Sequence, residues 1–351
     1  MYFERAKEKF EKLREKNSVK ILAIESSCDE TSISIVENGR KILSNIVASQ
    51  IEIHKRFGGV VPEIASRNHV SAISNVYKEA LNKANLSEKD IDAIAVTYGA
   101  GLVGALLVGV NFAKALAFSL DLPLIAVSHI KGHIAANYLT YQELVPPFMC
   151  LMVSGGHTAI LKVNSYNDHE LVGTTVDDAA GEAFDKVARV LGLGYPGGPS
   201  VDKFAKEGKD NIKFVSHTPM QNSFNFSFSG LKTAVINYVN NQKQKGKEIS
   251  VPDVCASFQS QAATELVSKA IGATKKFGEK KLVVAGGVSA NSFLKEMLSK
   301  SCNENGISLY MPNLSLCTDN AAMIASAAYF MLKDGLGLSD LSLTAKATIP
   351  L

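Results

Sequence analysis

The chain contains no tryptophan and only five cysteines, at positions 28, 150, 255, 302 and 317 of its 351 residues. They lie at least 15 positions apart, so no C-x-x-C pair of a zinc ribbon exists, and their odd number argues against the disulfide framework of a secreted domain. An excess of one charge is missing as well. Thirty-seven Lys and Arg face 34 Asp and Glu, and residues 1–20 alone carry the whole net charge of +3. The remaining body is neutral, so any nucleic-acid binding needs a local patch or a partner protein. No apolar core follows the mixed charges of residues 1–20, so no secretory leader is expected and the predicted location is cytoplasmic. The one long uncharged run, Ala93 to Ala113, is interrupted by Gly99, Gly101, Gly104 and Gly109. It predicts a buried strand, a tight turn and a buried helix, with no membrane span.

Several catalytic signatures are absent too. No G-x-x-x-x-G-K-[ST] phosphate loop occurs, no G-x-S-x-G elbow, and no His adjacent in sequence to Cys28 or Cys317. Gly99-Ala100-Gly101-Leu102-Val103-Gly104 fits G-x-G-x-x-G, but the acid at the expected distance, Asp121, precedes the next strand instead of ending it. Those glycines are therefore expected to serve close helix–sheet packing and not dinucleotide binding.

What is present suits a globular chain: 46% apolar residues, 20% charged and 26 glycines. The length predicts two domains. An apolar run at Ile21–Glu25 enters the polar turn Ser26-Ser27-Cys28-Asp29-Glu30-Thr31 and leaves as a second strand. The same plan returns at 148–163, with Ser154-Gly155-Gly156-His157-Thr158 as the turn, 128 residues later. Each half later holds a strand, a glycine turn and a helix, at 91–113 and from Leu282 through Gly286-Gly287. The expectation is a duplicated α/β protein with a cleft between its halves. Its expected divisions are an amphipathic extension at 1–19, a first domain at 20–147 and a second at 148–351 with an insertion at about 164–280. Phe3, Ala6, Phe10 and Leu13 define the apolar face of the extension, and Pro146-Pro147 is a candidate hinge.

His129 and His133, four apart on a helix expected after Val127, project both imidazoles to one side. That spacing suits a divalent metal, or equally a pair of partly buried histidines. Ile130 stands where a zincin carries its catalytic Glu. A third ligand must come from elsewhere, and Asp319, before an Ala-rich helix, is the candidate. Two imidazoles and a carboxylate leave open positions and suit Fe, Zn or Mn. Three strand-end turns, at 26–31, 154–156 and 286–287, could present backbone amides to an anion. Asp177-Asp178 reads as the acidic first turn of a helix that also carries Asp185 and Lys186. Asp185 and, past the Pro/Gly turn 194–199, Asp202 are placed to accept ribose hydroxyls. The polar stretches at 57–69 and 226–233 are either surface loops or edges of a cleft.

Taken in order, Glu25–Thr31, His54 through His69, His129–His133, Ser154–Thr158, Asp177–Lys186, Ser227–Thr233, Gly286–Asn291 and Cys317–Asn320 resemble the TsaD family. That family was formerly called Gcp or YgjD and was once described as an O-sialoglycoprotein endopeptidase. The resemblance spans roughly residues 20–340, and it departs from the family pattern at Ala100, where Pro is usual, and Ser289, where Ala is common. It implies an actin/Hsp70/hexokinase-like (ASKHA) fold and transfer of threonylcarbamoyl from threonylcarbamoyl-adenylate to N6 of the tRNA adenosine 3′ of the anticodon, with release of AMP. It implies one divalent cation, Fe2+ with Zn2+ as the alternative, on His129, His133 and Asp319. Substrate contacts are implied at Met152, Val153, Ser154, Gly155, Gly156, Asp185, Gly198, Asp202 and Asn291, with Glu25, Ser26, Asp29, Glu30 and Lys232 as supporting residues. Implied partners are tRNA, a TsaB-type paralogue and a TsaE-type ATPase. Candidate tRNA contacts are Lys55, Arg56, Arg67, Lys131 and Lys232. The competing readings are a metallopeptidase and a non-catalytic nucleotide-binding module.

Overall fold

A computed structural model describes residues 2–215 and 223–350; positions 216–222 of the expected insertion lie outside the described residues. The chain forms two compact units, Met1–Val145 with Pro312–Leu351, and Pro146–Met311.

The first unit opens with helix α1 (Tyr2–Glu15), then strands β1 (Lys20–Glu25), β2 (Glu30–Glu37) and β3 (Lys41–Ser49). Short helix α2 (Ile51–His54) and helix α3 (Pro62–Ala84) lead to β4 (Ala93–Gly99), α4 (Val103–Ser119), β5 (Leu124–Ser128) and α5 (His129–Thr140). The second unit contains β6 (Phe148–Val153), β7 (Thr158–Val163), β8 (His169–Thr174), α6 (Ala180–Leu191) and α7 (Gly197–Ala205). It continues through α8 (Ser229–Gln244), α9 (Val251–Lys276), β9 (Lys281–Ala285), α10 (Ser292–Glu304) and β10 (Ser308–Tyr310). The chain then returns to the first unit with α11 (Leu314–Cys317), α12 (Ala321–Lys333) and β11 (Leu338–Ser339).

The two sheets share one plan. In the first the order is β3-β2-β1-β4-β5, with β11 added at the outer edge; in the second it is β8-β7-β6-β9-β10. In each, three antiparallel strands are followed by two that run parallel to the first of them. Parallel central strands must be covered on both faces, which is why β1, β4, β6 and β9 read as nearly continuous apolar runs. The duplication inferred from the two polar turns is therefore real at the level of strand order. The uncharged run 93–113 becomes β4, a turn and the start of α4, and among the described residues no helix is long and apolar enough to cross a membrane.

One boundary differs from the sequence expectation. Residues 312–351 belong to the first unit, not to a second domain running from 148 to the end. The reason is α12, eleven of whose thirteen residues are buried. A helix apolar on all sides must be enclosed, and it packs on α5 and on the first sheet. Its small residues allow the close crossing: a Cβ on Gly132 of α5 would lie 2.6 Å from Ile324 Cδ1. The amphipathic extension expected at 1–19 is docked on the first unit. Tyr2, Ala6, Phe10 and Leu13 of α1 are buried, and Phe3, expected on that face, is exposed. Tyr2 takes its place, with its hydroxyl donating to Leu122 O at 2.7 Å, while Lys333 Nζ donates to the carbonyls of Leu13, Arg14 and Lys16 at the end of α1.

Candidate metal and adenylate sites

In the first unit, β5 delivers the chain at Ser128 and α5 starts at once with His129. One turn later comes His133, and the ring centroids lie 4.5 Å apart. Asp319 sits just before α12, whose first turn is capped by the Asn320 side chain accepting from Met323 N at 3.1 Å. The α5–α12 contact thus carries Asp319 to the histidines. Its Oδ1 lies 3.4 Å from His129 Nε2 and 3.2 Å from His133 Nε2. One ligand atom from each of the three falls within 4.8 Å of the others. Donor atoms about 2.1 Å from a common cation lie about 3 to 3.5 Å apart, so the spacing suits a shared ion. His133 supports the same reading, because Nδ1 of this buried side chain has no hydrogen-bond partner and Nε2 faces the Asp319 carboxylate without a well-aligned hydrogen bond. An imidazole buried this way without a partner is costly unless something else binds it.

The surroundings bias charge at the site. Glu25, fully buried at the end of β1, accepts from Ser27 N at 2.6 Å and from Thr97 Oγ1 at 2.5 Å. Its Oε2 lies 3.2 Å from His129 Nδ1, and Ser27 Oγ lies at the same distance from that nitrogen. Burial works against a charged His129, but the Asp319 and Glu25 carboxylates outweigh it and hold its pKa well above the ordinary histidine value. Burial likewise opposes ionisation of Asp319 and Glu25, yet the histidines keep Asp319, and His129 keeps Glu25, below the usual carboxylate range. Glu30 behaves oppositely: burial, then Asp319 and Asp29, push it up to about 10. Burial, helped by Asp29 and Asp319, also raises the Cys28 thiol, so Cys28 is no thiolate nucleophile. Asp29 is buried with Oδ2 lacking a hydrogen-bond partner, and Ser26 Oγ donates to Ala105 O at 3.0 Å, joining the turn to α4. His69, in contact with Thr31 Oγ1 at 2.7 Å and Cys28 O at 2.9 Å, fixes the same turn.

The second unit gathers the other set. The turn after β6 closes on itself, with Ser154 N donating to His157 O at 2.8 Å. Of the three amides proposed for an anion, Ser154's is engaged there, which leaves those of exposed Gly155 and Gly156, with open space around them. Met152 and Val153 are wholly buried, paired in β6 with Ala159 and Thr158, so they set the position of the turn and present no side chain at it. Gly181 at the start of α6 approaches so closely that a Cβ would meet Ser154 O at 2.6 Å. Four residues on, Asp185 accepts from Gly197 N at 2.7 Å, beside Gly198 at the start of α7. Asp202 accepts from Ser292 Oγ at 2.9 Å, and Asn291 accepts from Leu294 N while donating to Gln259 Oε1, both at 2.8 Å. Glycine turns, two carboxylates and an amide therefore line one region of the unit.

Other expected residues have local duties. Asp177 does not cap its own helix; it accepts from Phe228 N and Ser229 N, at the start of α8. Asp178 binds Lys232 at 2.5 Å and Lys186 at 2.9 Å, so Lys232 is tied within the unit. Among the candidate tRNA cations, Lys55 pairs with Glu52 and Arg67 with Glu63, which dilutes the positive charge expected there. Burial lowers the pKa of Lys131. Thr97, Gln259 and Ser292 were not singled out from the sequence, since a threonine in a strand, a glutamine in a helix and a helix-initiating serine carry no signal without partners.

Residues 41–326 match the family model TsaD: tRNA N6-adenosine threonylcarbamoyltransferase. The sequence is 58% identical over 316 residues to the tRNA N6-adenosine threonylcarbamoyltransferase of Clostridium botulinum (strain 657 / Type Ba4), covering 90% of this chain and 93% of that one. It is 56% identical over 332 residues to the protein of the same name from Clostridium perfringens (strain 13 / Type A), covering 94% and 98%. The crystal structure of T. kodakarensis HypF is similar in fold, with a TM-score of 0.64 at 16% identity over 93% of this chain and 49% of that one. So is an activator of 2-hydroxyisocaproyl-CoA dehydratase from Clostridium difficile with bound ADPNP, at 0.52 and 16% over 91% and 96%. These likenesses place both units in the ASKHA fold.

Proposed function

The chain belongs to the TsaD family of tRNA N6-adenosine threonylcarbamoyltransferases, and from that premise we propose how its residues divide the reaction. The protein is a transferase that modifies tRNA. Its donor is threonylcarbamoyl-adenylate: the adenosine N6–carbon bond forms, the carbon–oxygen bond to phosphate breaks, and AMP leaves with the electron pair. The departing phosphate takes the N6 proton. Because the donor carries its own leaving group, no protein nucleophile is needed, which agrees with the raised Cys28 thiol.

His129, His133 and Asp319 are the residues to hold a divalent cation, Fe2+ or Zn2+. When bound, such a cation supplies Lewis acidity toward the carbamoyl carbonyl. Gly155 and Gly156 direct amides to the phosphate, and the nearby α6 N-terminus favours its negative charge. Asp185 and Asp202 orient the adenylate, each carboxylate being held in place by the groups it already binds. Arg56 and Lys131 are left as candidate tRNA contacts once the paired cations are set aside. A TsaB-type paralogue and a TsaE-type ATPase, implied by family resemblance, would complete the assembly on a chain whose body is neutral.

The observation that carries this reading is the convergence of the three ligand atoms within 4.8 Å, in a chain of this family. The older peptidase reading is disfavoured by the same geometry. Glu25, the carboxylate nearest the histidines besides Asp319, faces His129 Nδ1, on the far side of the ring from the shared ligand position. It is not placed to activate a water there. Reconstitution with threonylcarbamoyl-adenylate, unmodified tRNA and both partners, followed by nucleoside analysis, should yield the modified adenosine. Asp319→Ala should abolish it. Full activity of that variant would favour a non-catalytic role for the trio, and no product from the complete wild-type mixture would overturn the proposal.

A further inference from the structure

Glu25 has both carboxylate oxygens committed. Oε1 receives the Ser27 backbone N–H at 2.6 Å, Oε2 receives the Thr97 hydroxyl at 2.5 Å, and His129 Nδ1 lies 3.2 Å from Oε2. A backbone N–H can only donate, so Oε1 must accept. The side chain is wholly buried at the end of β1. A neutral imidazole carries one proton, and only its proton-free nitrogen can bind a cation. His133 differs, since its Nδ1 has no partner.

We infer that Glu25 is a positioning residue: by accepting the Nδ1 proton of His129 it fixes the tautomer whose Nε2 lone pair points to the position shared with His133 and Asp319. The inference rests on the cation reading of that trio and deepens it. A ligand histidine commonly donates its second ring N–H to a carboxylate, and loss of that partner weakens binding 10–100-fold. Here the surroundings add a directional constraint. In Glu25→Gln the amide oxygen must face the Ser27 N–H, which turns the NH2 toward Nδ1. Nδ1 then becomes the acceptor, and the proton moves to Nε2, where it blocks the cation.

The test measures Zn2+ affinity of the full-length protein by competition with a chelator, together with 15N shifts of His129 in the Zn2+-loaded state. Wild type should show Nε2 coordinated and Nδ1 protonated. Glu25→Gln should bind Zn2+ about 10–100-fold more weakly with an unchanged circular-dichroism spectrum. Thr97→Val, which keeps the carboxylate but removes one of its anchors, should weaken binding less than Glu25→Gln does. Affinity within threefold of wild type for Glu25→Gln, or Nδ1 coordination in wild type, overturns the inference. The wild-type spectrum decides even if the Gln variant does not fold. Asp319→Ala is the separate control: if it binds Zn2+ as wild type does, the trio itself is not the cation site, whatever Glu25 does.

Discussion

The metal-free protein should lose stability as pH rises through neutrality, and saturating Zn2+ should remove the part of that loss, about 1.4 kcal/mol per pH unit, that His129 contributes. His129 lies between Asp319 Oδ1 at 3.4 Å and Glu25 Oε2 at 3.2 Å, with His133 alongside. Although burial opposes it, the two carboxylates hold the imidazolium in the folded state. In the unfolded chain the same histidine titrates near 6.5. Its contribution is complete below that pH. Above it the unfolded chain has released the proton while the folded chain keeps it, so stability declines by about 1.4 kcal/mol per pH unit until the raised folded pKa is reached. Two neighbours set the background. Glu30, pushed up to about 10, adds a slope of the same sign from about pH 4.3 upward. His69, lowered by burial, adds an opposite slope that ends near 6.5. Asp319 and Glu25, both depressed, stabilise above the usual carboxylate range and matter only on acidification. The diagnostic is therefore the difference between the slopes above pH 6.5 with and without Zn2+, to which Glu30 and His69 contribute equally in both conditions. A cation replaces the Nε2 proton in the folded state, so with saturating Zn2+ the slope becomes less negative by about 1.4 kcal/mol per pH unit. Urea unfolding followed by far-ultraviolet circular dichroism between pH 5.5 and 8.5, with chelator or saturating Zn2+, reads both curves. Equal slopes above pH 6.5 with chelator and with saturating Zn2+ would refute the electrostatic account of the trio.

Three substitutions test the scaffold. Gly132→Ala adds a Cβ 2.6 Å from Ile324 Cδ1 at the α5–α12 crossing; it should cost about 1–3 kcal/mol and, by parting His133 from Asp319, weaken Zn2+ binding measured by titration. Gly181→Ala meets Ser154 O at 2.6 Å and Gly155 Cα at 2.8 Å. It should displace the Gly155-Gly156 turn and reduce AMP affinity in calorimetry while the Zn2+ affinity stays at the wild-type value. Phe10→Ala, at a residue 1% exposed within α1, should destabilise the first unit by about 3–5 kcal/mol in urea unfolding; a change under about 1 kcal/mol would mean that α1 is not docked.

Much of this was legible in sequence because the signals are local. A strand, a polar turn and a strand repeat at 21–36 and 148–163, and i, i+4 spacing alone puts His129 and His133 on one side of a helix. Strand order was harder to read, because β1–β4 and β6–β9 pair across more than 60 residues and periodicity carries no information about partners. The N-terminal helix was expected, but one position out of phase at Phe3, since Tyr2 is nearly as apolar and finds a carbonyl for its hydroxyl. Asp177 was read as part of the acidic first turn of its own helix, which begins only at Ala180: such an acid looks the same in sequence whether its oxygens serve that helix or, as here, the amides of Phe228 and Ser229 about 50 residues on. The pairing of Lys55, Arg67 and Lys232 was likewise invisible as a loss of function, because a cation counted in sequence carries no record of the carboxylate beside it.

The return of the chain explains why the third ligand stands at residue 319. A duplicated fold invites the expectation that each half supplies its own site, with the carboxylate coming from the second half. Instead the chain crosses the whole second unit and comes back at Pro312, because α12 is too apolar to stand alone and the first unit offers α5 and its sheet to cover it. Burial of that helix is what holds Asp319 beside two histidines nearly 190 residues earlier, and Gly132 sets how close the crossing can be. The positions that look most like passive core, small residues facing each other between α5 and α12, therefore control the ligand geometry. Enlarging one of them should alter cation binding before it alters any residue that touches the cation.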